Sequence, residues 1–136
     1  MIHGHDTNSL LRLKDFINKL GLNSIILNEQ PNNGMTIIEK FEHFANKCAF
    51  ALALLTPDDL QASELSTGEI YRARQNVILE MGWFMGKLGR PKVVLIHAGS
   101  VELPSDITGL VYLEFQKNIS EISEMLRDEL ISQGLI

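Results

Sequence analysis

Glu80 is the residue around which chemistry can be built. In the run Tyr71-Arg72-Ala73-Arg74-Gln75-Asn76-Val77-Ile78-Leu79-Glu80-Met81-Gly82-Trp83-Phe84-Met85-Gly86 it is the only charged side chain between Arg74 and Lys87. If Ile70 to Leu88 is one helix, successive residues turn by about 100°, so Arg72, Asn76, Glu80 and Trp83 form one stripe roughly 16 Å long. An amide, a carboxylate and an aromatic ring then share a face. Burying a carboxylate among Val, Ile, Leu and Met costs several kcal/mol unless it is paired. Two readings follow from the pattern. One is structural, an ion pair with Arg72, Arg74 or Lys87 or partial exposure on an otherwise ordinary core helix; the other is a functional carboxylate, and both kinds of site perturb ionisation.

Two short polar segments add to this. His3-Gly4-His5-Asp6 follows an apolar start at Met1 and Ile2, and Thr56-Pro57-Asp58-Asp59 follows a longer apolar run. Gly4 permits close backbone approach, and Asp6 can receive a hydrogen bond from a ribose hydroxyl or cap the next helix. His3 and His5 suggest a metal only if they lie on a regular extended segment, and no third ligand is fixed, so no metal is expected.

The elements that must position these groups alternate between strand and helix, the pattern of an α/β fold with a parallel sheet. Ser9 to Leu20 carries Leu10, Leu13, Phe16, Ile17 and Leu20 at helical spacing, with Gly21 as a stop. Ser24 to Leu27 reads as a short strand, and Glu29 to Gly34 as a loop. Thr36 and Glu39 form a capping box that opens a second helix with Ile37, Ile38, Phe41, Phe44 and Ala45 as its buried stripe. Cys48 to Leu55 is apolar without alternation, as a strand covered on both faces would be. A polar loop from Thr56 to Glu69 leads to the helix from Ile70 to Leu88, which ends at Gly89 with Pro91 beyond. Lys92 to Ile96 and Val111 to Phe115 read as the last strands, joined by a loop in which a crossover helix is reduced or missing. Ile119 to Ile131 is a closing amphipathic helix. The expected architecture is a flavodoxin-like, five-stranded parallel sheet in the order 2-1-3-4-5, flanked by helices, with ligands at the carboxyl ends of the strands.

The 136 residues suit one domain, and 45% hydrophobic with 21% charged residues is ordinary for a globular chain. A net charge of −5 lacks the basic footprint of a nucleic-acid partner. Cys48 is alone, so no intrachain disulfide is expected and the cytoplasm is the default location. The longest apolar run, Ala49 to Leu55, falls far below the roughly 20 residues of a membrane span, and no secretory signal pattern precedes it.

Ordinary glycosidases need two carboxylates, one of them an acid for a poor leaving group. Nicotinamide instead leaves the ribose of NAD as a neutral base, from a bond already carrying positive charge. One carboxylate that stabilises the ribosyl cation suffices there by electrostatic preorganisation. At these residues the chain resembles the bacterial TIR-like family of predicted nucleotide-binding effectors of anti-phage defence, often fused to cyclic-nucleotide sensor domains such as STING. The resemblance rests on Ile2-His3-Gly4-His5-Asp6, Leu27 to Thr36, Ile37 to Glu42, Leu54 to Asp59 and Arg72 to Gly89, and it covers nearly the whole chain.

The resemblance implies a five-stranded TIR fold over residues 1–136, NAD+ hydrolysis, and activation by homotypic self-association that completes the site between neighbours. It makes Glu80 the catalytic residue and sets Asn76 near the nicotinamide end. His5, Asp6, Glu29 and Gln30 border the cleft, with Gly4, Asp58, Arg72, Arg74 and Trp83 as further substrate-binding residues. NAD+ enters as substrate rather than cofactor, and a fused or associated sensor domain is an expected partner. Relatives carry several apolar residues before the His-Gly-His-Asp segment where this chain has Met1 and Ile2, so the domain is expected to be excised from, or cut short relative to, a longer protein. Two rivals remain: a non-catalytic TIR assembly module using the loop from Glu29 to Gly34, with Glu80 structural, and a nucleoside deoxyribosyltransferase-like enzyme. NAD turnover against nucleoside exchange separates them.

Overall fold

The computed structural model describes residues 1–61, 70–107 and 110–136. Its centre is a parallel sheet of β1 (Ile2–His3), β2 (Ala51–Leu55), β5 (Val93–Ala98) and β7 (Tyr112–Phe115), in the order β1-β2-β5-β7. β2 and β5 are buried at every position and run in parallel register, with Ala53 opposite Leu95 and Leu55 opposite His97. Their unbroken apolar character follows from this: with helices on both faces, neither side of the strand meets water. Among the described residues four α-helices accompany the sheet: α1 (Thr7–Lys19), α2 (Ile37–Ala45), α3 (Gln75–Leu88) and α4 (Ser123–Ser132).

The structure differs from the sequence expectation in three stretches of backbone, and Ile37 and Ile38, expected in the buried stripe of α2, are exposed. First, the main sheet has four strands rather than five, because Ser24 to Leu27 forms no ladder and Leu27–Glu29 turns into a 3-10 helix. The Met1 amino group donates to the Ile25 carbonyl and the Leu27 N–H donates to the Met1 carbonyl at 3.2 Å, so this backbone does run beside β1. β1 spans only two residues before Gly4, which leaves little strand for a neighbour to pair with.

Second, α3 begins at Gln75, five residues after the expected start at Ile70. Ile70–Arg72 is instead a strand, β4, which pairs antiparallel with β3 (Asp59–Gln61) and parallel with β6 (Val101–Glu102) in a separate three-stranded sheet. Third, the expected polar loop Thr56 to Glu69 therefore contains β3, and residues 62–69 of it lie outside the described residues. Between β5 and β7 the described crossover consists of β6 and a 3-10 turn at Ser105–Ile107.

Helix ends are set by local chemistry. The Asp6 carboxylate caps α1 by accepting from the Ser9 N–H at 3.0 Å and from the Ser9 hydroxyl at 2.7 Å. Thr36 and Glu39 form the reciprocal capping box of α2. Gly89, at φ 88°, closes α3 in a conformation that suits glycine.

Candidate active site around Glu80

At the carboxyl ends of β1 and β2 the two polar segments meet. The Asp58 carboxylate accepts the His5 backbone N–H, with both oxygens at 3.1 Å, and the Thr56 hydroxyl at 3.3 Å. Gly4 is buried against this carboxylate, and a β-carbon there would overlap it. Arg74, at the start of α3, donates to His5 Nε2 at 2.7 Å. One rim of the sheet therefore gathers Gly4, His5, Asp58 and Arg74 from three chain segments.

α3 runs away from that rim, and Val77, Glu80, Met81 and Phe84 form its buried side. Glu80 is 8% exposed, and its Oε2 has no hydrogen-bond partner among the described residues. Burial raises its pKa from the ordinary 4.5 to about 6, against the opposing positive charges of Lys40, the amino terminus and Arg74. The ion pair that the sequence allowed does not form. Arg72 lies on β4, not on α3, and its Nε donates to Glu102 at 2.7 Å. Neither Arg74 nor Lys87 makes a salt bridge to Glu80 among the described residues.

The helical stripe is consequently Asn76, Glu80 and Trp83, without Arg72. Asn76 is exposed, Glu80 buried and Trp83 half-buried, with the indole 5.7 Å from the Phe41 ring of α2 and 5.2 Å from Phe84. Arg72 and Glu102 line a separate open cleft of about 540 Å³ with Gln75, Ile78 and Ser105, and Glu80 is not among its lining residues.

The loop between β1's neighbour segment and α2 supplies the remaining candidates. Glu29 is exposed and 3.4 Å from Lys14 Nζ. Gln30 donates its side-chain amide to the Ile26 carbonyl at 3.2 Å, while its own carbonyl accepts from Lys40 Nζ at 2.6 Å. Lys40 also donates to Asn32 Oδ1 at 3.0 Å and is only 8% exposed. Sequence reasoning missed this lysine. It stands beside the capping box and immediately before Phe41, where a lone Lys on an amphipathic helix reads as solvent-facing.

A buried carboxylate with an unfilled oxygen, held on a helix, can stabilise positive charge developing on a bound molecule. Among the described residues no group of three His, Cys, Asp or Glu side chains could hold a metal ion, and no helix is long and apolar enough to cross a membrane.

A parallel sheet with polar segments at its carboxyl edge and a helix carrying a buried glutamate beside them is consistent with a TIR-type α/β domain. The chain belongs to the family described as CAP12/Pycsar effector protein, TIR domain, which matches residues 1–117. It is 45% identical over 118 residues to the Uncharacterized protein YuaY of Escherichia coli (strain K12), covering 87% of this chain and 40% of that protein. It is 31% identical over 132 residues to Protein tirC of Dictyostelium discoideum, covering 90% and 66% of the two chains. It is 36% identical over 86 residues to the Pycsar effector protein PaPycTIR of Pseudomonas aeruginosa, covering 62% and 27%. The chain thus spans less than two thirds of the length of each of these relatives.

Proposed function

We propose that this chain is an NAD+ glycohydrolase effector domain of anti-phage defence, in which Glu80 is the catalytic carboxylate and self-association switches the activity on. The observation that carries the reading is the buried Glu80 Oε2, which has no hydrogen-bond partner among the described residues, on the buried side of α3 one turn after the exposed Asn76. An uncompensated carboxylate in a core is costly, and a developing ribosyl cation is the partner it lacks. Nicotinamide departs with the electron pair of the C–N bond as a neutral base, so no second carboxyl is needed as acid. Water then adds to the ribosyl carbon and loses a proton to solvent, giving ADP-ribose. Ring stacking on Trp83, a polar contact from Asn76, and ribose or phosphate contacts from His5, Arg74, Asp58, Gln30 and Glu29 would hold the substrate at the rim; Asp6 has both carboxylate oxygens in the α1 cap.

Membership of a family that includes Pycsar effectors supports the defence role. Ile37, Ile38 and Leu79 are large apolar side chains left 66%, 45% and 60% exposed on α2 and α3, which suits a surface that meets another copy. A cyclic-nucleotide sensor in the rest of a longer protein, or in a partner, would supply the trigger. The test is incubation of concentrated or artificially clustered protein with NAD+, with chromatographic separation of nicotinamide and ADP-ribose products. Specific activity should rise steeply with protein concentration. Constant specific activity across a wide range, with monomer confirmed by light scattering, would contradict assembly control, and nucleoside exchange without NAD+ loss would contradict the reaction.

A further inference from the structure

We propose that His5 and Arg74 form a seat for the diphosphate of a bound dinucleotide, and that binding there makes the His5 ring take up a proton. The proposal deepens the NAD+ reading by naming the side chains that hold the substrate's anionic centre. It rests on that reading only for the identity of the dinucleotide.

The contact between the two side chains fixes their charge state. Arg74 Nη1 lies 2.7 Å from His5 Nε2. A guanidinium carries only donors, so Nε2 is the acceptor and the ring is neutral, with its proton on Nδ1. A ring protonated at Nε2 would set two N–H groups and two positive charges against one another. Arg74 is thus a cation bonded to a neutral imidazole. Among the described residues it makes no salt bridge, and the first turn of α3 holds no acidic side chain to supply one. His5 and Arg74 are both exposed, so a ligand can reach the pair from solvent.

The carboxylates around His5 are already engaged. Both Asp58 oxygens, after β2, accept the His5 backbone N–H, and the Thr56 hydroxyl reaches Oδ1. Asp6, at the head of α1, accepts from the Ser9 N–H and hydroxyl. Among the described residues the polar contact of the ring itself is with Arg74 at the head of α3. The pair lies past the end of β1, at the carboxyl edge of the parallel sheet where α/β folds bind ligands.

An arriving diphosphate changes the partners. One of its oxygens accepts from the guanidinium and displaces Nε2; the freed nitrogen takes a proton from solvent and donates to a second oxygen. Two charge-assisted hydrogen bonds replace a bond to a neutral acceptor. One proton enters for each diphosphate bound, and no covalent bond of the ligand changes. The bound state holds a proton that the free state lacks, so affinity falls as pH rises, by up to about tenfold per pH unit.

ADP-ribose is the probe, because it carries the diphosphate of NAD+ as a diester of constant charge near neutral pH and has no nicotinamide bond to cleave. Calorimetric titration of the clustered protein, in buffers of different ionisation heat, should show uptake of about half to one proton per site at pH 7.5. Affinity should fall at least about threefold from pH 7 to 8. The imidazole nitrogen shifts of His5 should report a proton on Nδ1 alone in the free protein at pH 8, and on both nitrogens with ADP-ribose bound. His5→Gln should still bind but lose the proton uptake, and Arg74→Gln should bind at least about tenfold more weakly at every pH. Proton uptake on binding adenosine, which has no phosphate, would overturn the proposal. Sulfate that competes as strongly as ADP-ribose would make the seat one for free inorganic anions and overturn the dinucleotide assignment. So would absent ADP-ribose binding, or binding that leaves the ring nitrogens unchanged. The proton uptake and nitrogen shifts need only the parent, so the outcome does not depend on either variant folding. If ADP-ribose binds with proton uptake but the parent does not cleave NAD+, the seat stands and the reaction assignment falls. If NAD+ is cleaved and no proton is taken up, the seat alone falls.

Discussion

Ionised Glu80 is a burden on the folded chain. Raising a carboxyl from 4.5 to about 6 corresponds to about 2 kcal/mol between its two protonation states. The direction follows from linkage. The folded state holds the proton more tightly than the unfolded state, so this group contributes stability that is complete below about pH 4.5 and lost as pH rises through 6. Glu80→Gln has no such proton, so its melting temperature should gain on the parent between pH 4.5 and 7.5, by several degrees at this chain length. A difference that does not vary with pH would contradict the buried, unpaired description. Glu80 was legible in the sequence because it is the sole charge in an apolar helical run. Lys40 was not, because nothing local distinguishes a lysine that reaches back to a loop carbonyl from one that reaches water.

At the scale of elements, the rim of the sheet depends on a close approach between two segments far apart in sequence. Gly4 leaves room for the Asp58 carboxylate, which in turn holds the His5 N–H. Gly4→Ala forces the two apart and should destabilise the chain by about 1 to 3 kcal/mol. In an Asp58→Ala background the added methyl meets no carboxylate, so the double mutant should show strong coupling in thermal unfolding. Additive effects would argue that the contact is incidental.

The central apolar strand, the capping box and the stop at Gly89 were readable because each is decided within a few residues. The start of α3 was not. Ile70, Tyr71 and Arg72 fit a helical stripe or a strand equally well by pattern, and it is pairing with β3 and β6, the latter some 30 residues on, that draws them into a sheet. Arg72 left the Glu80 face for that reason. Ser24 to Leu27 has strand character in sequence, but its neighbour β1 offers only two residues for pairing.

For the molecule as a whole, the fold places an apolar sheet beneath one polar rim and beside a helix with one buried glutamate, and the family places it among CAP12/Pycsar effector TIR domains. Everything proposed about its chemistry converges on one carboxylate. The most direct measurement is NAD+ turnover by parent and Glu80→Gln in the same clustered preparation, with thermal unfolding and light scattering on each sample. Glutamine keeps the shape of the side chain and deletes the charge that stabilises a ribosyl cation. NAD+ cleavage should therefore fall by at least about 100-fold, the scale of losing one key electrostatic contact, while assembly is unchanged and the melting temperature at pH 7.5 is equal or higher. A variant that cleaves NAD+ at near the parental rate, or one that loses activity only because it unfolds, would contradict the assignment of Glu80 as the catalytic residue.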